Sequence, residues 1–545
     1  MVSPVIPARP HQATAQQESP PSVTPLTEAS AEEHLAGICF KIGPPRLIGV
    51  ETEWFVHDSR CPDAPIDPGR TAAALAALPG TPDSPLLPAG ANLTHEPGGQ
   101  VELSSLPAEG PTRCANDLLR DQAALRAAFA TQDLRLTGSG TDPLARERRM
   151  QLAHPRYVAM EKYFDRAGPW GRIMMCGTAS VQVSVDAGTE TGPQALADRW
   201  RLVHQLGPLL VAAFANSPLL DGRPTGYRST RQMVWSRMDP SRTLAPSPDG
   251  DPRAAWARYV LDAKVLCVQR PDGRPWTAPA GLTFRDWLRG AGERPATLAD
   301  LDYHRTTLFP PVRPRGHLEL RMLDAQPGDG WLTPLALVGA LLDDPVAADE
   351  AFAALERLHS LDAVTARGAV NGCAGAHARG GANGLGGVND RADVNDRGSA
   401  NDFGSANDRG GVNAKASANA HDQRNVHHST SIHHSVNGHR TTNVRGSMNA
   451  RVGAHVDYTV NAPRNALWQR AAVLGMADPE LRRAALACFG AAERALARSE
   501  GAEMLRERLT AFAERYPARG RCPADDQLDA LRTGALPVPE EAAPC

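Results

Sequence analysis

The chain has 545 residues, 42% of them hydrophobic, which is enough for a large folded domain with additional segments. Its formal net charge of -3 gives no reason to expect a nucleic acid or a membrane surface as a partner. The nine cysteines form no CxxC pair, and their odd number favours reduced thiols in the cytoplasm.

The N-terminal residues 1–35 are predicted to form a disordered leader. They are rich in proline, glutamine, serine and threonine, and they lack the charged start and apolar core of a signal peptide. A folded domain is expected over residues 36–367. Its longest apolar run, Trp331 to Leu342, is interrupted by Pro334 and is too short to cross a bilayer.

Four segments of this domain alternate polar and apolar residues, as half-buried strands do. They read IGVETEWFV, QVELS, SVQVSVD and HLELRMLD. Because side chains two positions apart share a face of a strand, each segment has one apolar and one polar face. The polar faces carry Glu51, Glu53, Glu102, Gln182, Glu319 and Arg321.

A further acid, Glu96, precedes a Pro-Gly-Gly bend beside the second strand. The alternative to a functional site is a solvated outer face of a sheet, but five carboxylates on one surface repel one another. Hard divalent cations such as Mg2+ prefer oxygen ligands and remove that repulsion. The pattern therefore favours a metal site formed by Glu51, Glu53, Glu96, Glu102 and Glu319.

An internal repeat follows, in which asparagine recurs every six residues between positions 371 and 461, with His377, Ser431 and His455 at the three positions that lack it. A solenoid needs a bulky residue at a fixed position, whereas the residue before asparagine is mainly Val or Ala. The repeat predicts a disordered, low-complexity insert over residues 368–462. Helical periodicity on both sides of it indicates that residues 463–545 complete the folded domain and end in a disordered tail.

Four motifs in this order, GVETEWF, LTHEPGGQVELSS, RIMMCGTASVQVSVD and HLELRMLD, resemble the plant-like and actinobacterial glutamate-cysteine ligases, the branch that includes the ergothioneine-pathway enzyme. The resemblance implies an α+β fold with a glutamine-synthetase-like catalytic domain. In that domain a curved antiparallel sheet is lined by carboxylates and helices pack behind it. His95 departs from the pattern, because an aromatic residue such as Phe is expected beside Glu96.

The resemblance also implies the reaction, in which ATP phosphorylates the γ-carboxylate of L-glutamate and the amine of L-cysteine attacks the acyl phosphate. The cofactor would be Mg2+, with Mn2+ as the alternative, and the product would serve ergothioneine biosynthesis. Arg321 and Glu319 are the expected catalytic residues, because arginine keeps its charge and binds oxyanions with two donors. The residues expected to bind substrate or nucleotide are Gln182, Thr178, Arg156, Tyr157 and Arg231. An ordinary structural role is the alternative for each of them.

No GxxxxGK[ST] phosphate loop is present, so nucleotide is expected to bind through metal ions. Three other functions stay open. A glycosidase also uses paired carboxylates, but its chemistry needs only two acids and would leave Arg321 and the other three acids without a role. A binding protein that kept the fold without catalysis and a carboxylate-amine ligase with a different acceptor are the other two.

Overall fold

The structure is a computed structural model that describes residues 26–78, 85–270, 272–360 and 462–535. Its strands are β1 Leu47–Asp58, β2 Asn92–His95, β3 Val101–Ser104, β4 Ala108–Glu109, β5 Leu134–Thr137, β6 Ser180–Asp186, β7 Leu219–Leu220, β8 Arg223–Pro224, β9 Val312–Pro314 and β10 His317–Asp324. Its helices up to residue 360 are α1 Glu28–Cys39, α2 Pro68–Ala76, α3 Pro111–Ala130, α4 Pro155–Phe164, α5 Trp170–Gly177, α6 Leu196–Ala213, α7 Thr230–Ser236, α8 Pro240–Thr243, α9 Pro252–Asp262, α10 Phe284–Asp286, α11 Leu298–Arg305, α12 Leu332–Asp343 and α13, residues 345–360. The later helices are α14 Ala462–Leu474, α15 Pro479–Arg498, α16 Glu503–Arg515 and α17 Pro523–Arg532.

The main sheet has the strand order β2-β3-β1-β6-β10-β9, and β4 and β5 also pair with β1. All of these pairings are antiparallel. The four strands predicted from alternation are β1, β3, β6 and β10, and they are adjacent in the sheet. The predicted α+β class with an antiparallel sheet is confirmed.

The apolar face of the sheet forms one side of the main core. Val50, Val101, Val183 and Leu320 come from the four predicted strands and are each at most 1% exposed. Helices α3, α6 and α12 cover this face, and α15 and α16 pack in turn on α12. The apolar alternation therefore determines which face of the sheet the helices cover.

Local signals position these helices. Helix α15 begins with Pro479 at its first position, where a missing N–H costs nothing, and the Asp478 carboxylate accepts hydrogen bonds from the backbone N–H of Glu480 and Leu481. Helix α12 is the long apolar run of the sequence and is buried on all sides from Leu332 to Leu342. Within the described ranges, the structure contains no helix with the length and apolarity needed to span a membrane.

A smaller layer of helices lies on the polar side of the sheet. Helices α4, α5 and α7 pack together around a second apolar cluster that is rich in methionine and aromatic side chains. Met160, Met174, Met175 and Met233 belong to this cluster. The polar face of the sheet and this layer enclose the candidate site described below.

The structure corrects one boundary. Helix α1 begins at Glu28 and buries Ala31 and Leu35, so the predicted end of the leader at residue 35 is wrong. A capping box between Thr27 and Ser30 starts this helix, and a composition-based reading of the segment missed it. Residues 368–461 of the predicted insert and the final residues 536–545 lie outside the described residues. Residue 462, the predicted last residue of the insert, is the first residue of α14. The cysteines within the described residues are all free.

Candidate active site

The acids of strands β1 and β3 lie in rows across the sheet. Glu53 of β1 is directly opposite Glu102 of β3, and Glu51 lies between Ser104 of β3 and Gln182 of β6. Residues directly opposite in an antiparallel pair have Cβ atoms about 5 Å apart and share a face. The register therefore brings three of the predicted carboxylates together.

The fourth acid, Glu96, enters from the bend that joins β2 to β3. The bend closes when the backbone N–H of Gly99 donates to the Glu96 carbonyl oxygen at 2.9 Å. Gly99 has a φ of 90°, which only glycine adopts without strain, and a Cβ on Gly98 would lie 2.4 Å from the Cα of Cys176. The glycine pair thus allows the bend to pack tightly against the end of α5 with Glu96 in the cavity.

Burial raises the pKa of all four carboxyl groups, and repulsion by neighbouring carboxylates raises it further for Glu51, Glu96 and Glu102. Burial, followed by the charges of Glu319 and Glu102, raises the pKa of Glu51 to about 7. Burial, followed by the charges of Glu53 and Glu102, raises the pKa of Glu96 to about 8. Burial also raises the pKa of Glu53 and of Glu102, although hydrogen-bond donors partly oppose the shift. This set, Glu51, Glu53, Glu96 and Glu102, is called the acid cluster below.

The donors to Glu53 and Glu102 come from neighbouring strands. Ser180 donates to Glu53 from its backbone N–H at 2.8 Å and from its hydroxyl at 2.9 Å, and Gln182 Nε2 donates at 3.2 Å. The Thr94 hydroxyl donates to Glu102 Oε1 at 2.7 Å. These bonds orient two of the four carboxylates.

The fifth predicted metal ligand, Glu319, has different partners. It is fully buried, and Arg313 Nε donates to its Oε2 at 2.6 Å, Arg315 Nη1 to its Oε1 at 3.1 Å and Arg321 Nη1 to its Oε2 at 3.1 Å. Burial alone would raise the pKa of Glu319, but Arg313 and Arg321 outweigh burial and hold it well below its usual range. This group of three arginines around Glu319 is called the arginine cluster below.

Arg321 connects the two clusters. Its guanidinium donates to Gln182 Oε1 as well as to Glu319, and Gln182 in turn donates to Glu53. A bulge in β10 places this residue, because the register with β6 shifts between Leu320 and Leu323. Alternation predicted the face of Arg321 correctly, but it did not predict the bulge.

Arg231 is a further arginine of the site, outside the arginine cluster. It is 3% exposed, its Nη2 donates to the carbonyl oxygen of Arg321 at 2.9 Å, and its Nη1 lies 4.0 Å from Asp324. Nη1 makes no hydrogen bond with any residue in the described ranges. Arg231 therefore retains a buried donor for an anionic ligand.

The remaining predicted residues lie around the same cavity. The Thr178 hydroxyl donates to the Met174 carbonyl oxygen at 2.7 Å, and Arg156 donates to the hydroxyl and carbonyl oxygens of Thr306 at 2.8 and 2.9 Å. Tyr157 also lines the cavity, and burial raises the pKa of its hydroxyl. His95 pairs with Val101 beside Glu96, and burial lowers its pKa.

Sequence reasoning missed several residues of the site. Gln100 Nε2 donates to the carbonyl oxygens of Met175 and Thr178 and so joins the start of β3 to the end of α5. Arg313 and Arg315 were missed as well, although Arg-Pro-Arg-Gly before β10 contains a turn signal with a glycine at a φ of 85°. Reading β9 and β10 as a hairpin would have placed Arg313 opposite Glu319.

The predicted site residues except Glu319 line one cavity of about 850 Å³, and His95 does not line it either. Its polar wall includes the acid cluster, Gln100, Gln182 and Ser180, and its basic wall includes Arg156, Arg231, Arg305, Arg313, Arg315 and Arg321. Its apolar wall is formed by Tyr157, Met160, Met174, Met175, Trp235 and Phe309. Such a cavity can hold an anionic ligand of nucleotide size together with a smaller substrate.

The acid cluster fits a hard divalent cation by the chemistry of its donors. Four carboxylates offer oxygen ligands, and their raised pKa values show that positive charge there would stabilise the ionised forms. Within the described ranges, no three histidine, cysteine or acidic side chains already stand together as a metal-ligand group. Binding of a cation would therefore require the carboxylates to move toward it.

Comparisons with known proteins identify the family of this chain. The sequence profile described as glutamate-cysteine ligase family 2 matches residues 47–406. The chain is 44% identical over 339 residues to glutamate–cysteine ligase EgtA of Mycolicibacterium smegmatis, covering 60% of this chain and 77% of that protein. It is 33% identical over 266 residues to the chloroplastic glutamate–cysteine ligase of Medicago truncatula, covering 46% of this chain and 51% of that protein.

A solved structure of glutamate–cysteine ligase from Francisella tularensis in complex with AMP is 16% identical, covers 56% of this chain and 68% of that chain, and has a TM-score of 0.35. The family profile matches more than half of this chain and includes β1, β3, β6 and β10, the strands that carry the acids and Arg321. The chain belongs to glutamate-cysteine ligase family 2.

Proposed function

We propose that this protein uses ATP to join the γ-carboxylate of L-glutamate to the amine of L-cysteine, forming γ-glutamylcysteine for ergothioneine biosynthesis. The observation that carries the proposal is the acid cluster and the two arginines, Arg231 and Arg321, on one cavity. Membership of the family and the 44% sequence identity to EgtA of Mycolicibacterium smegmatis support the same reaction.

The reaction sets an electrostatic problem for the site. A carboxylate is a poor electrophile, and both it and ATP are anions, so their charges must be neutralised before they can approach. In the first step, a γ-carboxylate oxygen of glutamate bonds to the terminal phosphorus of ATP, and ADP leaves. In the second step, the amine nitrogen of cysteine bonds to the acyl carbon, inorganic phosphate leaves and the amine loses a proton.

Glu51, Glu53, Glu96 and Glu102 would hold Mg2+, or alternatively Mn2+. When bound, the ion supplies positive charge that binds the phosphate oxygens of ATP. Glu319, the fifth ligand expected from the sequence, would join them only by exchanging an arginine hydrogen bond for the metal. Without that exchange, its role is to position Arg313 and Arg321.

Arg321 and Arg231 would bind the oxyanions. Arg321 is held by Glu319 and Gln182, so its charge is fixed in place before substrate binds. Arg231 has a buried donor with no described partner, which suits a phosphate or carboxylate oxygen. Gln182 would orient Arg321 and Glu53 near the nucleotide, while Thr178, Arg156 and Tyr157 would line the amino-acid pockets.

The test is a product assay with purified full-length protein, Mg2+-ATP and L-glutamate. The expected result is release of ADP and phosphate that requires glutamate and is stimulated by L-cysteine, with γ-glutamylcysteine as the product. Release of AMP and pyrophosphate would contradict the acyl-phosphate route. Preference for an amine other than cysteine would identify a different carboxylate-amine ligase, and ATP binding without turnover would identify a binding protein.

A further inference from the structure

We propose that Asp324 is a positioning residue that holds Arg231 in place for its anionic ligand. Gln527 of the C-terminal helix α17 extends this support through Asn216. The proposal rests on the proposed function, because Arg231 is one of the two arginines that would bind oxyanions there. It gives a role to the described C-terminal residues 462–535, none of which lines the cavity. These residues also lie beyond the part of the chain that the family profile matches.

The carboxylate of Asp324 is surrounded by donors. Asp324 ends strand β10 and is 2% exposed. Its Oδ2 accepts hydrogen bonds from the backbone N–H of Asn216 at 2.9 Å and from the hydroxyl of Ser217 at 2.7 Å. Its Oδ1 accepts from the hydroxyl of Ser229 at 3.0 Å, and Nη1 of Arg231 lies 4.0 Å away. Both oxygens act only as acceptors, which is the role of an ionised carboxylate.

The same carboxylate fixes the start of α7, the helix that carries Arg231. Ser229 is the N-cap of α7, and its hydroxyl accepts a hydrogen bond from the backbone N–H of Gln232 while it donates to Asp324. Ser217 accepts from the backbone N–H of Arg231 at 3.1 Å while it donates to Asp324. Asp324 therefore orients both serines that hold the first turn of α7.

Asp324 also supplies the counter-charge of Arg231 inside the protein. Burial lowers the pKa of Arg231, and the charge of Asp324 is the largest influence that opposes this shift. Burial raises the pKa of Asp324, and the charge of Arg231 is the largest influence that opposes that shift. Because Arg231 Nη1 makes no hydrogen bond within the described ranges, the pair keeps a charged donor for a ligand.

A buried amide connects this pair to helix α17. Gln527 is 3% exposed, and its Nε2 donates to Oδ1 of Asn216 at 2.7 Å and to the Asn216 carbonyl oxygen at 3.0 Å. Since the backbone N–H of Asn216 donates to Asp324, Gln527 fixes a residue that holds the carboxylate. Asp525 of the same helix accepts from Nε of Arg228 at 2.7 Å, in the segment that leads into α7. Helix α17 thus supports Arg231 without reaching the cavity.

The first test measures the dissociation constants of Mg2+-ATP and of L-glutamate separately, by isothermal titration calorimetry with the full-length protein. Arg231→Gln identifies the ligand that Arg231 binds, because it should raise that dissociation constant at least about 10-fold. Asp324→Asn should raise the dissociation constant of the same ligand at least about 10-fold and leave that of the other ligand within about 2-fold. Unchanged binding of both ligands, or equal weakening of both, would overturn the proposal.

The second test is a double-mutant cycle on the same dissociation constant. In the Arg231→Gln background, Asp324→Asn should change it by less than about 2-fold, because a positioning residue acts only through the residue that it positions. Two full effects that multiply would show that Asp324 supports the fold and not Arg231, which would overturn the proposal.

The third test starts at the far end of the network and leaves the buried ion pair intact. Gln527→Met removes the amide at similar length and should raise the same dissociation constant at least about 3-fold. In the Arg231→Gln background it should have an effect of less than about 2-fold. Parental binding of both ligands by Gln527→Met would refute the role of α17. This variant also decides the proposal if Asp324→Asn does not fold.

Gln122→Met is the matched control. Gln122 is a buried glutamine as well, and its amide contacts Gly328 and Trp331, but it does not line the cavity. It should keep the parental dissociation constants of both ligands. Weakening equal to that of Gln527→Met would show that loss of any buried amide has this effect, and it would overturn the proposal.

Turnover and binding separate this proposal from the proposed function. If the parent binds Mg2+-ATP but forms no γ-glutamylcysteine, the proposed function fails, and the titrations still decide whether Asp324 positions Arg231. If the parent forms the product but Asp324→Asn and Gln527→Met bind both ligands as the parent does, only the positioning role is refuted.

Discussion

The acid cluster and the arginine cluster lie on the same face of the same sheet, yet their carboxylates are in opposite states. Glu51 and Glu96 have pKa values raised to about 7 and about 8, whereas the pKa of Glu319 is held well below its usual range. Burial acts to raise the pKa of all three carboxyl groups, so burial does not explain the difference. The difference comes from the arginines. Glu319 forms ion pairs with three guanidinium groups, whereas the carboxylates of the acid cluster form no ion pair with an arginine among the described residues.

This comparison shows how one sheet face can provide two kinds of site. A carboxylate already neutralised by arginine holds those arginines in place for substrate oxyanions. A group of carboxylates without arginine partners is poised for a cation that arrives with the nucleotide. The substitutions below each change a residue of one of the two clusters, and together they test the difference between them.

The largest effect is expected for activity when Glu102 of the acid cluster is replaced. Glu102→Gln keeps the shape of the side chain and removes one ligand charge, so turnover should fall at least about 100-fold. The melting temperature of the metal-free protein should stay unchanged or rise, because a repelling charge is lost. The gain in melting temperature on adding Mg2+ and ATP should largely disappear.

Glu109→Gln is the control for this experiment, because Glu109 lies on the same sheet with its side chain 60% exposed. It should retain both turnover and the ligand-dependent gain. An equal gain in Glu102→Gln and in the parent would refute Glu102 as a metal ligand.

Replacing Glu319 should affect stability with the opposite sign. Glu319→Gln leaves Arg313 and Arg321 buried without their counter-charge, which should lower the free energy of unfolding by about 3–5 kcal/mol. Urea unfolding of the metal-free protein measures this loss. A loss no larger than that of Glu102→Gln would show that the two clusters do not differ as described.

The raised pKa values predict how stability depends on pH. A carboxyl group whose folded pKa lies above its unfolded value of 4.5 binds more protons when the protein is folded. Its contribution to the free energy of unfolding is therefore present at low pH and is lost as the pH rises through the folded pKa. For Glu96 this loss begins near the unfolded pKa of 4.5 and is complete only above the folded pKa of about 8, in the metal-free protein.

Unfolding free energies at several pH values, in the presence of a chelator, measure this effect. Glu96→Gln should show a shallower decline than the parent over this range. Parallel curves for the two proteins would contradict a raised pKa at Glu96.

The smallest effect is expected at the exposed edge of the arginine cluster. The Arg315 side chain is 47% exposed, whereas that of Arg313 is 12% exposed, although both contact Glu319. Arg315→Gln should change the free energy of unfolding by less than about 1 kcal/mol, because solvent screens its ion pair. Arg313→Gln changes the buried counterpart and should lower the free energy of unfolding by more in the same urea titration. Equal losses of unfolding free energy in the two variants would show that burial does not determine the strength of these ion pairs.

Alternation in the sequence predicted the sheet because the period of a strand is local. Glu51 and Glu53 share a face whatever the rest of the chain does, and the same holds for Glu319 and Arg321. The glycine pair after Glu96 likewise marked a tight bend. Helix α1 was missed, since a proline-rich start dominated the composition of residues 1–35 and concealed the capping box at Thr27.

The sequence by itself therefore determined the polar face of the sheet, the residue types on it and the family. Only the tertiary structure decided which carboxylates meet each other and which meet arginine, because those contacts depend on strand order and register. Glu53 faces Glu102 through the pairing of β1 with β3, and Glu319 faces Arg313 through the pairing of β10 with β9. Charge state follows from these neighbours, since the electrostatic terms that shift a pKa act through space and not along the chain.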